Sequence, residues 1–476
     1  MTKKLWGGRF KKKIDKDFFK FQKSIQYDYK LAEYDIFHSK IHVKALLGHG
    51  ILVKTEAQKL LKTLDTVENE IKEDIKNGRF SIIDSEDIHT EIQNRVEKKI
   101  KGELPLKLHT LRSRNDQIVF DEKYYCLKES ELIANNIVAL LKSLVLFIRN
   151  NNGKDQFIGY THTQRAQAIS FSNYISALFC MFEKDAKRII RFNKNLYIYI
   201  GAGALAGSLL SSKNYNEAIK KSFDIDNSKI KLVDNTLDNV SDRDFIIELL
   251  SIISIIQMHL SRMTEDFILY STKEFSYFNL PEEFCTGSSL MPHKKNPDFL
   301  ELVRGYTGRI YGNLMSILTT MKGLPLTYNR DMQLDKEPLF SSVDTIKDEL
   351  QIMAKFIEKI NLNEEVIEQA LKDKSLYATE LAEWLVTNKK TNIPFRKAHD
   401  IIGRLIKLAE SNKYKGSIDA ISDKDLMKLH PSLNQIVLKK IMNSKYAISS
   451  KRTSSKRSNL KASNWFKDLM EKAGKE

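Results

Sequence analysis

The segment Gly287-Ser288-Ser289-Leu290-Met291-Pro292-His293-Lys294-Lys295-Asn296-Pro297-Asp298 sets the strongest limit on how this chain can fold. Helical patterns lie on both sides of it. Gly287, Pro292 and Pro297 forbid one continuous helix through it, because proline lacks the N–H that a helix interior needs. Five of the chain's eight prolines fall between Pro281 and Pro338, and two of them lie inside this segment. Asn296-Pro297-Asp298 reads as a helix start, with Asn at the N-cap, Pro at the first helical position and an acid in the first turn. The segment is therefore expected to be a loop feeding a helix N-terminus. Its two hydroxyls, two ammonium groups and amide stand beside unpaired backbone N–H groups, which suits an anion. A basic surface loop before a capped helix would share that composition, so the rest of the chain has to decide.

The flanking patterns are helical because glycine and proline are scarce, 19 and 8 in 476 residues, and Ile, Leu, Lys and Glu are abundant. That length exceeds one ordinary core and predicts two or three domains. Apolar residues recur at helical spacing from about Leu31 to Ile75, with Gly48-His49-Gly50 as the break of a helical hairpin. Ser85 is the expected cap of a helix running towards Ile100. Further helices are predicted over Asp121–Asn150, Ala168–Asn195, Phe245–Tyr270 (capped by Ser241-Asp242-Arg243-Asp244) and Phe299–Met321. In the last of these, Gly305, Gly308 and Gly312 suggest close helix–helix contact. Leu339–Glu476 alternates helices with short loops, and the basic run Lys451–Lys461 is read as a connection before a final short helix.

Composition excludes several function classes. Cys126, Cys180 and Cys285 are odd in number and far apart, which points to a reducing compartment rather than a disulfide framework. The N-terminal residues lack the apolar core of a signal peptide. The most apolar stretch, Phe245–Leu260, carries Glu248, Gln257 and His259, and reads as a buried core helix rather than a membrane span. A cytoplasmic protein with no membrane partner is expected. The net charge of +16 comes from 77 basic and 61 acidic residues mixed along the chain. Without a clustered basic footprint it predicts a solvated surface and no nucleic-acid partner. His38 and His42 are four apart, but a zinc site needs further ligands, and none is evident; no metal is expected.

Three other stretches are dense in polar groups. His109-Thr110-Leu111-Arg112-Ser113-Arg114-Asn115-Asp116-Gln117 sets two Arg near Ser and Asn, which fits a carboxylate site because guanidinium pairs bidentately with carboxylate. Gly159–Gln167 holds one histidine, His162, among hydroxyls and amides. Gly323–Pro338 contains Tyr328, Asn329, Arg330, Asp331, Gln333, Asp335 and Lys336. Such density is costly to bury without partners, so each is a solvated turn or a site for a polar ligand. Gly201–Gly207 lacks the strand–helix setting of a nucleotide-binding loop and reads as a packing or ligand-approach loop.

In this order the four stretches resemble the fumarase/aspartase superfamily, whose GSSxMPxKxN signature Gly287–Asn296 matches at every fixed position. Lys4–Phe10, His109–Gln117, Gly159–Gln167, Val240–Phe245 and Lys322–Glu337 narrow the resemblance to the argininosuccinate lyase family, over nearly the whole chain. His293 stands where that family usually has Gln, Thr163 where it has Leu, and Leu111 where a small residue is common. The resemblance implies an all-α fold of three helical domains: 1–110, a central long-helix domain at 111–362, and 363–476. It also implies a homotetramer in which the long helices form a twenty-helix bundle and each active site is shared between subunits.

The implied reaction is the reversible β-elimination of argininosuccinate to arginine and fumarate, with no cofactor. A base removes a weakly acidic proton beside a carboxylate, and an acid protonates the departing nitrogen. The resemblance assigns these tasks to Ser288 and His162, with Lys294 and Asn296 at the developing charge and Glu301 as the partner of His162. Sequence leaves open which of Ser288 and His162 is the base; the superfamily loop carries Ser288, which favours it. Ser113, Arg114, Asn115 and Thr161 are implied to hold the fumarate half, and Tyr328, Gln333 and Lys336 the arginine half, Lys336 at its α-carboxylate. Ser24 and Asp87 match further positions of the substrate site. A sister lyase acting on adenylosuccinate, aspartate or malate would share the loop but not the Tyr328–Lys336 cluster. A structural protein of the δ-crystallin kind would be marked by loss of a catalytic group, and His162, Ser288 and Lys294 are all present.

Overall fold

The computed structural model describes Lys12 and residues 14–151, 153, 155–222 and 227–453. The Lys4–Phe10 motif and the expected final short helix lie outside the described residues, as does the basic run beyond Thr453. The fold is all-α in class, with 69% of the described residues helical. Its main helices are α1 (Ala32–His49), α2 (Lys54–Lys76), α3 (Ile88–Lys99), α4 (Arg114–Asn150), α5 (Phe171–Asn195), α6 (Asp244–Ser271), α7 (Asp298–Met321) and α8 (Lys336–Lys359). The predicted hairpin is α1 and α2, with Gly50 at positive φ ending the first helix. Three expectations shift. Asp87, not Ser85, caps α3, accepting from the Thr90 N–H, while Ser85 donates to Glu91. Helix α4 starts at Arg114 rather than Asp121, so the first polar cluster feeds directly into it. Helix α7 begins at Asp298, with Asn296 held in a bridge to Thr286 instead of capping.

Two compact units emerge. The first comprises the described residues of Met1–Ala134, Asp185–Met258 and Tyr306–Asp348. There α2 buries Leu60, Leu64, Val67 and Ile71, one stripe at helical spacing, against α1 and α3. Ile198–Ile200 and Ile230–Leu232 form a short parallel pair. In the glycine loop, Gly203 has positive φ, and a Cβ there would collide with the Gly207 carbonyl, so only glycine fits. That loop is a packing device: Gly201 and Ala202 N–H groups donate to the buried Asp116 carboxylate.

The second unit comprises the described residues of Asn135–Lys184, His259–Gly305 and Glu349–Glu476. It contains the one feature that sequence reading left as a polar interruption, an antiparallel hairpin of β1 (Phe157–Thr161) and β2 (Gln164–Ile169). Phe157 at its base meets Phe171, Tyr270 and Tyr277 edge-on, at centroid distances of 5.9, 5.8 and 5.7 Å. A small antiparallel pair, Phe278–Asn279 with Asn361–Leu362, completes the strands among the described residues. Helices α4 and α6 are long and apolar enough to cross a membrane. Of the most apolar window of each, 50% and 61% is buried inside the protein, as core helices are. The close contact expected at Gly305, Gly308 and Gly312 is not made among the described residues: a Cβ at any of them would meet nothing within 4 Å.

Candidate active site

Eight of the residues singled out from sequence fall in the first unit: Ser24, Asp87, Ser113, Arg114, Asn115, Tyr328, Gln333 and Lys336. Local folding brings them together. Asp87 caps α3 and pairs with Arg114 at the start of α4, 3.1 Å from its Nε. Arg114 also donates to Thr90 and Gln117. The Asp87 carboxyl is half-buried, which opposes ionisation, yet Arg114 and His89 hold it below the usual carboxylate range. Ser113 accepts from the Asn115 N–H at the start of α4, and Asn115 donates to the Ala204 carbonyl. Ser24 is buried, donates to Asp28 and gives its own N–H to the Glu86 carbonyl. Glu86 pairs with Arg330, and Gln333 donates to the Gln22 carbonyl at 2.9 Å. Burial pushes the Tyr328 hydroxyl up, against the pull of Lys336 and Arg330.

Lys336 is buried, with its ammonium 2.8 Å from Asp335 Oδ1 and 2.6 Å from Glu122 Oε1. The same two carboxylates meet Arg243, through Asp335 Oδ2 and, at 3.3 Å, Glu122 Oε2. Burial opposes the charge on Lys336, but Asp335 and Glu122 outweigh it and hold the ammonium firmly protonated. Sequence reading passed over Glu122, which looks like any acid on a helix, and Tyr27, whose hydroxyl bonds Gln333. It quoted Arg243 and Asp335 within motifs without giving them a role.

Behind the first polar cluster lie buried histidines. His42 Nε2 donates to the Thr110 carbonyl at 2.8 Å. Burial and the Arg112 charge push that imidazole down to about 3. His38 stacks on Phe120. Ligand-type atoms of Asp35, His38 and Asp121 lie within 4.8 Å of one another. His89 Nδ1 stands 3.2 Å from Asp35 and 3.5 Å from Asp121, so an imidazole already lies between those carboxylates.

The other six residues fall in the second unit. Thr161 ends β1, and His162 with Thr163 forms the two-residue turn to β2, at φ of 53° and 57°. Two successive left-handed residues make a type I′ turn, which matches the twist of a hairpin but is usually built from Asn-Gly. A β-branched Thr in that conformation is strained. Of the seven non-glycine residues with positive φ among those described, four (Leu111, His162, Thr163 and Thr327) lie in the three polar clusters. Strain is thus concentrated where function was expected from sequence. Thr161, His162 and Thr163 are all exposed.

The opening segment is a loop pinned at its neck. Thr286 and Asn296 exchange backbone hydrogen bonds of 3.2 and 2.8 Å, and the Asp298 carboxylate accepts from the Thr286 N–H and hydroxyl. Ser288 Oγ accepts the N–H groups of Met291 at 3.0 Å and Leu290 at 3.3 Å. The Lys294 side chain is exposed and has no ion pair among the described residues, whereas Lys295 donates to the Leu280 carbonyl. Asn296 reaches the Gly287 carbonyl at 3.4 Å. Glu301 is exposed in the first turn of α7. No hydrogen bond or ion pair among the described residues joins His162 to Ser288, Lys294 or Glu301.

Comparison with known proteins bears on the family and the fold. Residues 8–312 match the family described as Lyase, and residues 375–449 the family described as Argininosuccinate lyase C-terminal. Argininosuccinate lyase of Caldanaerobacter subterraneus subsp. tengcongensis is 40% identical over 458 residues, covering 94% of this chain and 99% of that protein. Argininosuccinate lyase of Legionella pneumophila is 43% identical over 409 residues, covering 85% and 96%. Among solved structures, an EDDS lyase variant with bound fumarate has a TM-score of 0.73 at 20% identity, covering 96% of this chain and 88% of that one. A class II fumarase from Schistosoma mansoni has a TM-score of 0.72 at 17% identity, covering 89% and 90%. Those two likenesses are of fold.

Proposed function

The chain belongs to the argininosuccinate lyase family, and from that membership we propose that it splits argininosuccinate reversibly into L-arginine and fumarate with Ser288 as base and His162 as acid. The base takes the proton from the succinyl carbon beside a carboxylate. The C–H electron pair becomes the double bond of fumarate as the C–N bond breaks, and the departing guanidino nitrogen takes a proton. A hydroxyl is a weak base at neutral pH, so its alkoxide must be stabilised. The observation that carries the assignment is that Ser288 Oγ already accepts two backbone N–H groups, which favour the ionised oxygen. Lys294, without an ion pair among the described residues, and Asn296 serve the doubly charged aci-carboxylate, each contact lowering the barrier by about 3 kcal/mol.

Ser113, Arg114, Asn115 and Thr161 hold the fumarate half in this reading, and Ser24 and Asp87 belong to further positions of the substrate site. Tyr328, Gln333 and Lys336 hold the arginine half. An ammonium has three N–H donors, so Lys336 keeps one for the α-carboxylate after meeting Asp335 and Glu122. The chemistry uses no metal or organic cofactor. Glu301 partners His162 from another copy of the chain, within a homotetramer whose active sites are shared between subunits. Support comes from α7, where Leu302, Tyr311, Met315 and Leu318 are exposed and the glycines are open to a close neighbour. The long helices form the twenty-helix core of that tetramer, between helical domains at 1–110 and 363–476 that flank the central 111–362. The protein is cytoplasmic in this account, with neither nucleic acid nor membrane as partner.

The opening loop acts as a lid. Gly287 is not at positive φ, and a Cβ there would meet nothing within 4 Å, so this conformation does not require glycine. Its freedom serves a second, closed conformation. The test of the whole reading is direct: purified protein with argininosuccinate raises ultraviolet absorbance as fumarate forms. A signal only with adenylosuccinate or aspartate contradicts it.

A further inference from the structure

Four charged side chains from four places in the fold close a ring that the chemistry above uses only in part. Glu122 lies on α4, Arg243 just before α6, Asp335 at the end of the turn Arg330–Asp335, and Lys336 at the start of α8. Each carboxylate divides its two oxygens between the two cations. Glu122 gives Oε2 to Arg243 at 3.3 Å and Oε1 to Lys336 at 2.6 Å. Asp335 gives Oδ2 to Arg243 and Oδ1 to Lys336 at 2.8 Å. No side chain in the ring is more than 3% exposed. Charges alternate around it and sum to zero. Arg243 is anchored in turn by donating to the Asp242 carbonyl at 2.7 Å.

Stability alone does not account for such a ring, because well-packed apolar side chains in place of buried ion pairs are often as stable. Position does. A lysine has a flexible four-carbon stem, and Asp335, its neighbour in sequence, would move with it. Glu122 and Arg243 tie the ammonium to α4 and to the start of α6, so two of its three donors are fixed in direction and the third follows. We propose that Glu122 and Arg243 are positioning residues that aim this third donor at the α-carboxylate of the arginine half. The proposal rests on the reading that Lys336 meets that carboxylate.

The test runs the reaction in reverse, varying arginine and fumarate separately, with melting temperature recorded for each variant. Glu122→Gln keeps the shape and opens the ring. It is expected to raise the KM for arginine about tenfold or more while the KM for fumarate stays within about twofold. Arg243→Lys, with a single donor point, shifts the same parameter in the same direction. Glu122→Asp restores the charge and recovers part of the loss. Should Glu122→Gln fail to fold, Glu122→Asp carries the test with a smaller rise confined to arginine. An equal rise for both substrates, or no rise for arginine, overturns the proposal. Lys336→Met beside these separates the two claims. If it leaves the arginine KM unchanged, the contact of Lys336 with substrate is wrong. If it raises that KM and Glu122→Gln does not, only the positioning role is wrong.

Discussion

In the first unit, the residues assigned to binding sit among partners: Asp87 with Arg114, Gln333 with the Gln22 carbonyl, Lys336 between Asp335 and Glu122. In the second unit, the residues assigned to chemistry stand in the open: His162 at a hairpin tip, Lys294 on a loop, Glu301 on a bare helix face. Folding of one chain preorganises the first set. It joins no two of His162, Lys294 and Glu301 by an ion pair or hydrogen bond among the described residues, although acid–base catalysis needs its groups within hydrogen-bond reach. The proposed sharing of active sites between subunits would give each chain this contrast, a finished binding face and catalytic groups that await completion.

The largest effects should come from the residues assigned to chemistry. Ser288→Ala is expected to lower kcat by about 10³–10⁴-fold and His162→Asn by about 10²–10⁴-fold. The melting temperature should hold, because among the described residues the Ser288 side chain bonds only its own loop. Steady-state kinetics with thermal melts check both; a collapse in stability would erase the contrast. The buried set should dominate stability instead. His42 has a folded value near 3, below the 6.5 expected when unfolded, so the unfolded chain binds the extra proton. Stability is therefore fully present above pH 6.5 and falls as pH drops towards 3, by about 3 kcal/mol between pH 7 and pH 4 from this residue. Urea titrations at the two pH values should show the fall, and His42→Gln should lessen it, leaving the part that the buried His38 and His109 contribute in the same direction. A smaller effect is expected from Asp87→Asn. Asn still caps a helix, so stability should change little, while loss of the charge opposite Arg114 raises KM by about tenfold with kcat nearly unchanged. The smallest concerns the hairpin tip. Thr163→Gly relieves left-handed strain and should add up to about 0.5 kcal/mol of stability, with a loss of kcat of a few fold as the turn loosens around His162. A gain in both would show that the strain has nothing to do with the site.

Much of the fold was legible because helical periodicity runs long and unbroken over α1, α2, α5 and α6. The hairpin was not. Its strands are short and polar towards the tip, a bulge at Gly159 and Tyr160 disturbs the alternation, and its turn carries His-Thr where Asn-Gly would have signalled it. The start of α4 was hidden because Arg114, Asn115 and Asp116 are too polar to register as helix, although Ser113 and its neighbours make a sound N-terminus. In the candidate site, the four polar stretches and their order could be read directly. Glu122 could not, because nothing in a helical acid reveals that its two oxygens will be divided between Arg243 and Lys336 from distant parts of the chain. The seven glycine-free strained positions, too, are visible only in the backbone.

Complementation tests the central claim most directly. Ser288→Ala and His162→Asn are prepared separately, mixed in equal amounts, dissociated and allowed to reassemble, and fumarate formation is measured. If Ser288 and His162 of one active site come from different chains, random reassembly restores intact pairs at about a quarter of the sites, and activity should recover to about that fraction of the unaltered protein. Activity no higher than that of the two variants alone, in assemblies shown to be mixed, would place both groups in one chain and contradict the account.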